Sequence, residues 1–150
     1  MSERPRILVP VDGSHTSLRA LDVAIEFAAK LQAELVICHV VELAKAATLS
    51  GGQAELVAGC LEELQTEGKA IVEEATARVG DRVAVSSRIA EGESVDQIER
   101  IADEIAPAFI VIGTHGRTGL TRLVMGSVAE GVVRGARVPV MVVPQGRRSL

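Results

Sequence analysis

Four short apolar runs divide the chain: Ile7 to Val11, Leu35 to Val41, Phe109 to Ile112 and Val138 to Val143. Each is rich in β-branched residues and almost unbroken, the pattern of strands covered on both faces in a parallel sheet. A fifth segment, Val83 to Ile89, alternates more and suits an edge position. Between them the apolar spacing turns helical. Leu18, Leu21, Ile25 and Ala28 form one stripe; Val57, Leu61, Leu64, Gly68, Ile71 and Ala75 form a longer one. Ser94-Val95-Asp96-Gln97 reads as a capping box opening a helix with Val95, Ile98, Ala102 and Ile105 inward, stopping before Pro107. A last helix is predicted from about Gly126-Ser127 to Gly135, the latter as the glycine just past its end.

The order is therefore β-α-β-α-β-α-β-α-β. With right-handed crossovers it predicts a single α/β domain over 1–150, an open doubly wound parallel sheet of Rossmann-like type with helices on both faces. Residues 42–53 are the one long connection, expected to be mobile. Pro139 removes a ladder donor from the last strand and predicts an edge position for it.

Composition narrows the function. Of 150 residues 47% are hydrophobic and 24% charged, the mix of a globular protein with a core rather than a disordered chain. No long uncharged apolar run and no secretory pattern stand in the sequence, and Cys38 and Cys60 lack metal or disulfide spacing, so a cytoplasmic protein without a membrane partner is expected. The net charge of −4 argues against nucleic acid as a partner. Phe27 and Phe109 are the only aromatics, so a bound base must lie among aliphatic side chains and backbone. Residues 113–150 carry six arginines against Glu130, a charge of +5 that suits an anionic ligand or, equally, a solvated surface.

Ligands of open α/β sheets bind beyond the carboxyl ends of strands where the strand order reverses. Two strand ends carry candidate chemistry. The first is Pro10-Val11-Asp12-Gly13-Ser14; the fourth strand runs into Gly113-Thr114-His115-Gly116-Arg117 and on to Gly126-Ser127. Glycines 113, 116 and 126 can adopt positive φ and admit a ligand close to backbone amides. Ser127 at a helix start adds free N–H groups and the helix dipole, while Arg117 and Arg122 flank the loop, together an expected phosphate cradle. Leu49-Ser50-Gly51-Gly52-Gln53 spells a transporter-ATPase signature, but no P-loop accompanies it, and it reads as a turn. No G-x-G-x-x-G follows the first strand, which disfavours a dinucleotide.

The spacing Gly113-x2-Gly116-x9-Gly126-Ser127 resembles the nucleotide motif of universal stress proteins (UspA-like), in the ATP-binding subclass. So do Ile7 to Ser14, Cys38-His39-Val40-Val41, Gly126 to Glu130 and Val138 to Val143, and the similarity covers about 7–144. The resemblance implies strand order 3-2-1-4-5 and binding of ATP with Mg²⁺ or Mn²⁺. It places Asp12 near the ribose and phosphates, through the metal, and the Val40 backbone at the adenine edge. Pro10 and Val11 would line the base, Gly113 the ribose, and Gly116, Gly126, Ser127 and Val128 the phosphates; His115 lies in the same loop. It also implies a homodimer paired through the edge strand Val138–Val143, whose exposed ladder a monomer would otherwise have to protect.

Plainer roles stand beside these. Asp12 is also a candidate helix cap, His39 a packed hydrogen-bonded side chain, His15 a surface residue and Cys38 an apolar filler. No Walker acid or catalytic lysine is present, so the expected function is an ATP-dependent regulatory switch in the stress response, with slow or no hydrolysis and no catalytic residues. The alternatives are a nucleotide-independent interaction module of the same fold, or an adenylyl-transferring enzyme. The enzyme reading is weakened by Asp12-Gly13-Ser14-His15 standing where such enzymes carry their own motifs.

Overall fold

A computed structural model describes residues 3–114 and 125–145. Five parallel strands form one sheet in the order β3-β2-β1-β4-β5. They are β1 (Arg6–Pro10), β2 (Glu34–Glu42), β3 (Val85–Gly92), β4 (Phe109–Gly113) and β5 (Val140–Val143). The helices are α1 (His15–Leu31), α2 (Leu43–Leu49), α3 (Ala54–Val79), α4 (Ser94–Ile105) and α5 (Ser127–Gly135). The doubly wound architecture expected from the pattern is the one observed. Strands β3 and β5 are the edges, as their alternation and Pro139 predict.

Alternation along each strand sends successive side chains to opposite faces. Ile7, Val9, Leu35 and Ile37 face Leu21, Ile25 and Ala28 of α1 and Ala75 and Val79 of α3 in one buried cluster. Leu8, Val36, Cys38, Ile110 and Ile112 face Ile98, Ile101 and Ile105 of α4 and Ala129 and Val132 of α5 in another. Burying each such side chain stabilises the fold by about 1.5–3 kcal/mol before chain entropy is counted.

The long connection differs from expectation. It contains α2, because Ala46 packs under a small cluster with Val41 and Leu64 and the segment is rich in helix formers. Seven residues are too few to display a helical period. The Leu49–Gln53 segment is the turn expected of it: Gly51 and Gly52 hold φ of 65° and 80° between α2 and α3.

Two helix ends also differ. The cap of α4 is Glu93, whose carboxylate accepts from the amides of Val95 and Asp96; Ser94 is the first helical residue and donates instead to Glu42 Oε1. Gly135 closes α5 within the helix, and Ala136 caps it with φ of −68°. Gly135 does not turn left-handed; a Cβ there would meet the Glu99 carboxylate of α4, the movable end of a flexible side chain.

Candidate nucleotide site

A cavity of about 650 Å³ opens at the carboxyl ends of β1, β2 and β4, the point where strand order reverses. Its size is that of an ordinary small-molecule site. Pro10, Val11, Asp12, Val40, Gly113, Gly126, Ser127 and Val128, all expected from the sequence, line it together. Three further expected residues, His115, Gly116 and Arg117, lie outside the described residues, as does Arg122.

One wall is a strand edge. The Val11 amide donates to the Cys38 carbonyl at 2.8 Å, so Cys38 turns its peptide groups toward β1. In a parallel strand a residue directs N–H and C=O to one neighbour and the next residue directs them to the other. Val40, two residues on, therefore also faces the β1 side, but β1 pairs with β2 only as far as Pro10 and Cys38. Val40 lines the cavity, and among the described residues the β1 ladder stops short of its donor and acceptor.

The opposite wall is a set of helix starts. At α1 the terminus is closed by its own side chains: Ser14 Oγ accepts from the Ser17 amide at 3.2 Å, and Asp12 Oδ1 accepts from the Ser14 amide at 2.9 Å. Gly13, at φ 84°, makes that turn possible. Asp12 thus braces the turn while Ser14 caps the helix. The start of α4 is closed by the Glu93 carboxylate. Behind Glu42, the short α2 has a carboxylate at its own start. Among the described residues α5, like the short α2, has no side-chain capping bond: Gly126 precedes it, Glu130 stands in its first turn, and the first intrahelical bond is Glu130 N–H to the Gly126 carbonyl at 2.9 Å. The amides of Ser127, Val128 and Ala129 precede that bond and line the cavity with the positive end of the helix dipole. Beside them Thr114 Oγ1 is buried, with no hydrogen-bond partner among the described residues.

The glycines act differently from expectation. Gly126 has φ of −62°, and neither it nor Gly113 falls in the left-handed region. Gly113 is required by packing, since a Cβ there would lie 2.7 Å from Thr16 Cγ2 and 2.9 Å from the Thr16 carbonyl oxygen. Charge also departs from the sequence picture. The described lining holds Asp12, Glu42, Glu67 and Glu130 against Lys45, and Arg134 is engaged by Glu130 at 2.8 Å. Among the described residues, attraction for an anion thus comes chiefly from amides.

Sequence reasoning missed Glu42, Lys45, Ser94 and Met125, all in the cavity wall. Glu42 and Ser94 are 52 positions apart and meet only through the sheet. His39 packs as expected, its Nδ1 2.8 Å from the Val11 carbonyl oxygen. Burial pushes the Cys38 thiol up to about 12, which keeps it protonated and inert. No group of three or more His, Cys, Asp or Glu side chains placed to hold a metal occurs among the described residues. No helix among them is long and apolar enough to cross a membrane.

The universal stress protein family matches residues 3–144. Universal stress protein MJ0531 of Methanocaldococcus jannaschii is 34% identical over 144 residues, covering 95% of this chain and 84% of its own. Among solved structures, MJ0577 of the same organism superposes with a TM-score of 0.85 at 26% identity, covering 98% of this chain and all of the other. A universal stress protein solved in complex with cAMP superposes at 0.66 with 28% identity, over 95% of this chain and 98% of the other. The chain belongs to the universal stress protein family.

Proposed function

We propose that this universal stress protein binds ATP in the cavity at the strand-order switch point and acts as a nucleotide-dependent regulatory switch with little or no hydrolysis. One observation carries the reading: the uncapped amides of α5 face, across one cavity, the unpaired backbone edge of Val40. The first suits phosphate and the second suits the hydrogen-bonding edge of a base. The cAMP complex of a relative supports an adenine nucleotide as the ligand class.

The base lies among Pro10, Val11 and Val40, the ribose by Gly113, and the phosphates on Ser127 and Val128. The Thr114 hydroxyl, unpartnered among the described residues, fits a polar ligand at the phosphate end. A divalent cation enters with the phosphates, and Asp12, which lines the same cavity, is the carboxylate assigned to meet it. Homodimerisation through the Val138–Val143 edge belongs to the same reading.

The test is equilibrium titration of nucleotide-stripped protein with ATP, beside mass spectrometry of small molecules that co-purify with it. Gly126 has a backbone conformation any residue adopts, so Gly126→Val/Ser127→Val should fold yet lose nucleotide. Wild-type protein without measurable ATP affinity would refute the reading. For the dimer, Val140→Asp should halve the mass measured in solution at micromolar concentration; an unchanged mass would refute pairing through β5.

A further inference from the structure

The two halves of the cavity belong to different elements, and one turn of α4 touches both. Ser94 Oγ donates to the carboxylate of Glu42, two residues beyond Val40 on β2. The next residue, Val95, fills the notch left by Gly131 on α5: a Cβ on Gly131 would lie 2.6 Å from Val95 Cγ2 and 3.2 Å from Cγ1. Four residues further on both helices, Glu99 occupies the corresponding space at Gly135. The two contacts advance together, so α4 and α5 run parallel with their starts at the cavity, in close contact at Gly131 and Gly135.

We propose that the first turn of α4 is the spacer that sets the distance between the Val40 edge and the α5 amides, with Gly131 and Ser94 as positioning residues. The inference rests on the nucleotide reading above. It follows from close packing: a methyl group at Gly131 would lie 2.6 Å from Val95 Cγ2, so the seam must give, and a displacement of α5 carries its first amides with it. A ligand held at one end of the cavity is indifferent to that shift. One held at both ends is not.

The experiment compares ATP with adenosine, which lacks phosphates, on wild type, Gly131→Ala, and Gly131→Ala/Val95→Ala. Folding of each is checked by thermal denaturation. Gly131→Ala is expected to weaken ATP by about tenfold, a change of about 1.4 kcal/mol, with adenosine unaltered. The Val95→Ala replacement vacates the space and is expected to restore ATP affinity. Ser94→Ala, which leaves the α4–α5 seam intact, is expected to lower the ATP-to-adenosine ratio in the same direction. Equal weakening of both ligands, unchanged ATP affinity, or failure of Val95→Ala to rescue would overturn the spacer role while leaving nucleotide binding intact. Wild type that binds neither ligand would instead remove the nucleotide reading beneath it.

Discussion

His39 Nδ1 lies 2.8 Å from the carbonyl oxygen of Val11, joining the ends of β1 and β2 just past their last paired residues. Since the carbonyl only accepts, Nδ1 must carry the proton, which fixes the tautomer of the neutral ring. The ring is held from behind by α3, where Gly68 leaves room for it: a Cβ there would stand 2.9 Å from His39 Cδ2.

That contact reverses the usual sign of a helix substitution. Gly59, on the same helix with nothing near its Cβ position, should gain about 0.5–1 kcal/mol on replacement by alanine. Gly68→Ala should instead lose about 1–3 kcal/mol by overpacking against His39. Urea denaturation of the two variants decides it. If both are stabilised, the seating of His39 on Gly68 is wrong.

Gly113→Ala should destabilise by at least about 2 kcal/mol, because its Cβ would meet the backbone of Thr16 as well as its side chain. Loss of ligand binding in that variant would therefore come with a lowered melting temperature. Gly126→Val should show the first without the second.

Ala106 ends α4 in the left-handed conformation, at φ 47°. Glycine relieves that strain at some loss to chain entropy, so Ala106→Gly should stabilise by about 0.5–1 kcal/mol in denaturant melts. A destabilised variant would contradict the left-handed cap.

The buried Cys38 thiol, raised to about 12 from the ordinary 9.0, makes stability fall at alkaline pH. Once the thiol ionises in the unfolded chain but not in the folded one, ionisation favours unfolding. The contribution is whole below pH 9.0 and declines between there and about 12, with a limiting slope of about 1.4 kcal/mol per pH unit. Cys38→Ala should flatten that decline. Thiol reagents at neutral pH should label Cys60, which is partly exposed, and spare Cys38.

Asp22 takes two hydrogen bonds from Arg78, both at 2.7 Å, and these hold its carboxyl below the ordinary carboxylate range. The stability this gives is present above pH 3.8 and is lost as pH falls through the lowered value. Both side chains are nearly half exposed, so solvent screening leaves about 0.2–1 kcal/mol. Asp22→Asn should lose that amount at pH 7 and less in high salt.

The sequence by itself determined the layers of this protein. Unbroken β-branched runs such as Ile7 to Val11 require cover on both sides, and helical stripes such as Leu21, Ile25 and Ala28 supply it, because periodicity is a local property of the chain. Pro139 likewise put β5 at an edge, since a missing donor is legible in one residue. The position of the site could be read from the strand ends Asp12 and Gly113. What only the tertiary structure decided is which groups meet. Glu42 and Ser94 share a hydrogen bond across 52 positions, Gly131 faces Val95 with no room for a Cβ, and among the described residues the start of α5, unlike those of α1 and α4, is left without a side-chain cap. Those facts depend on distances between elements, and a distance between elements is set by packing, which no window of sequence contains.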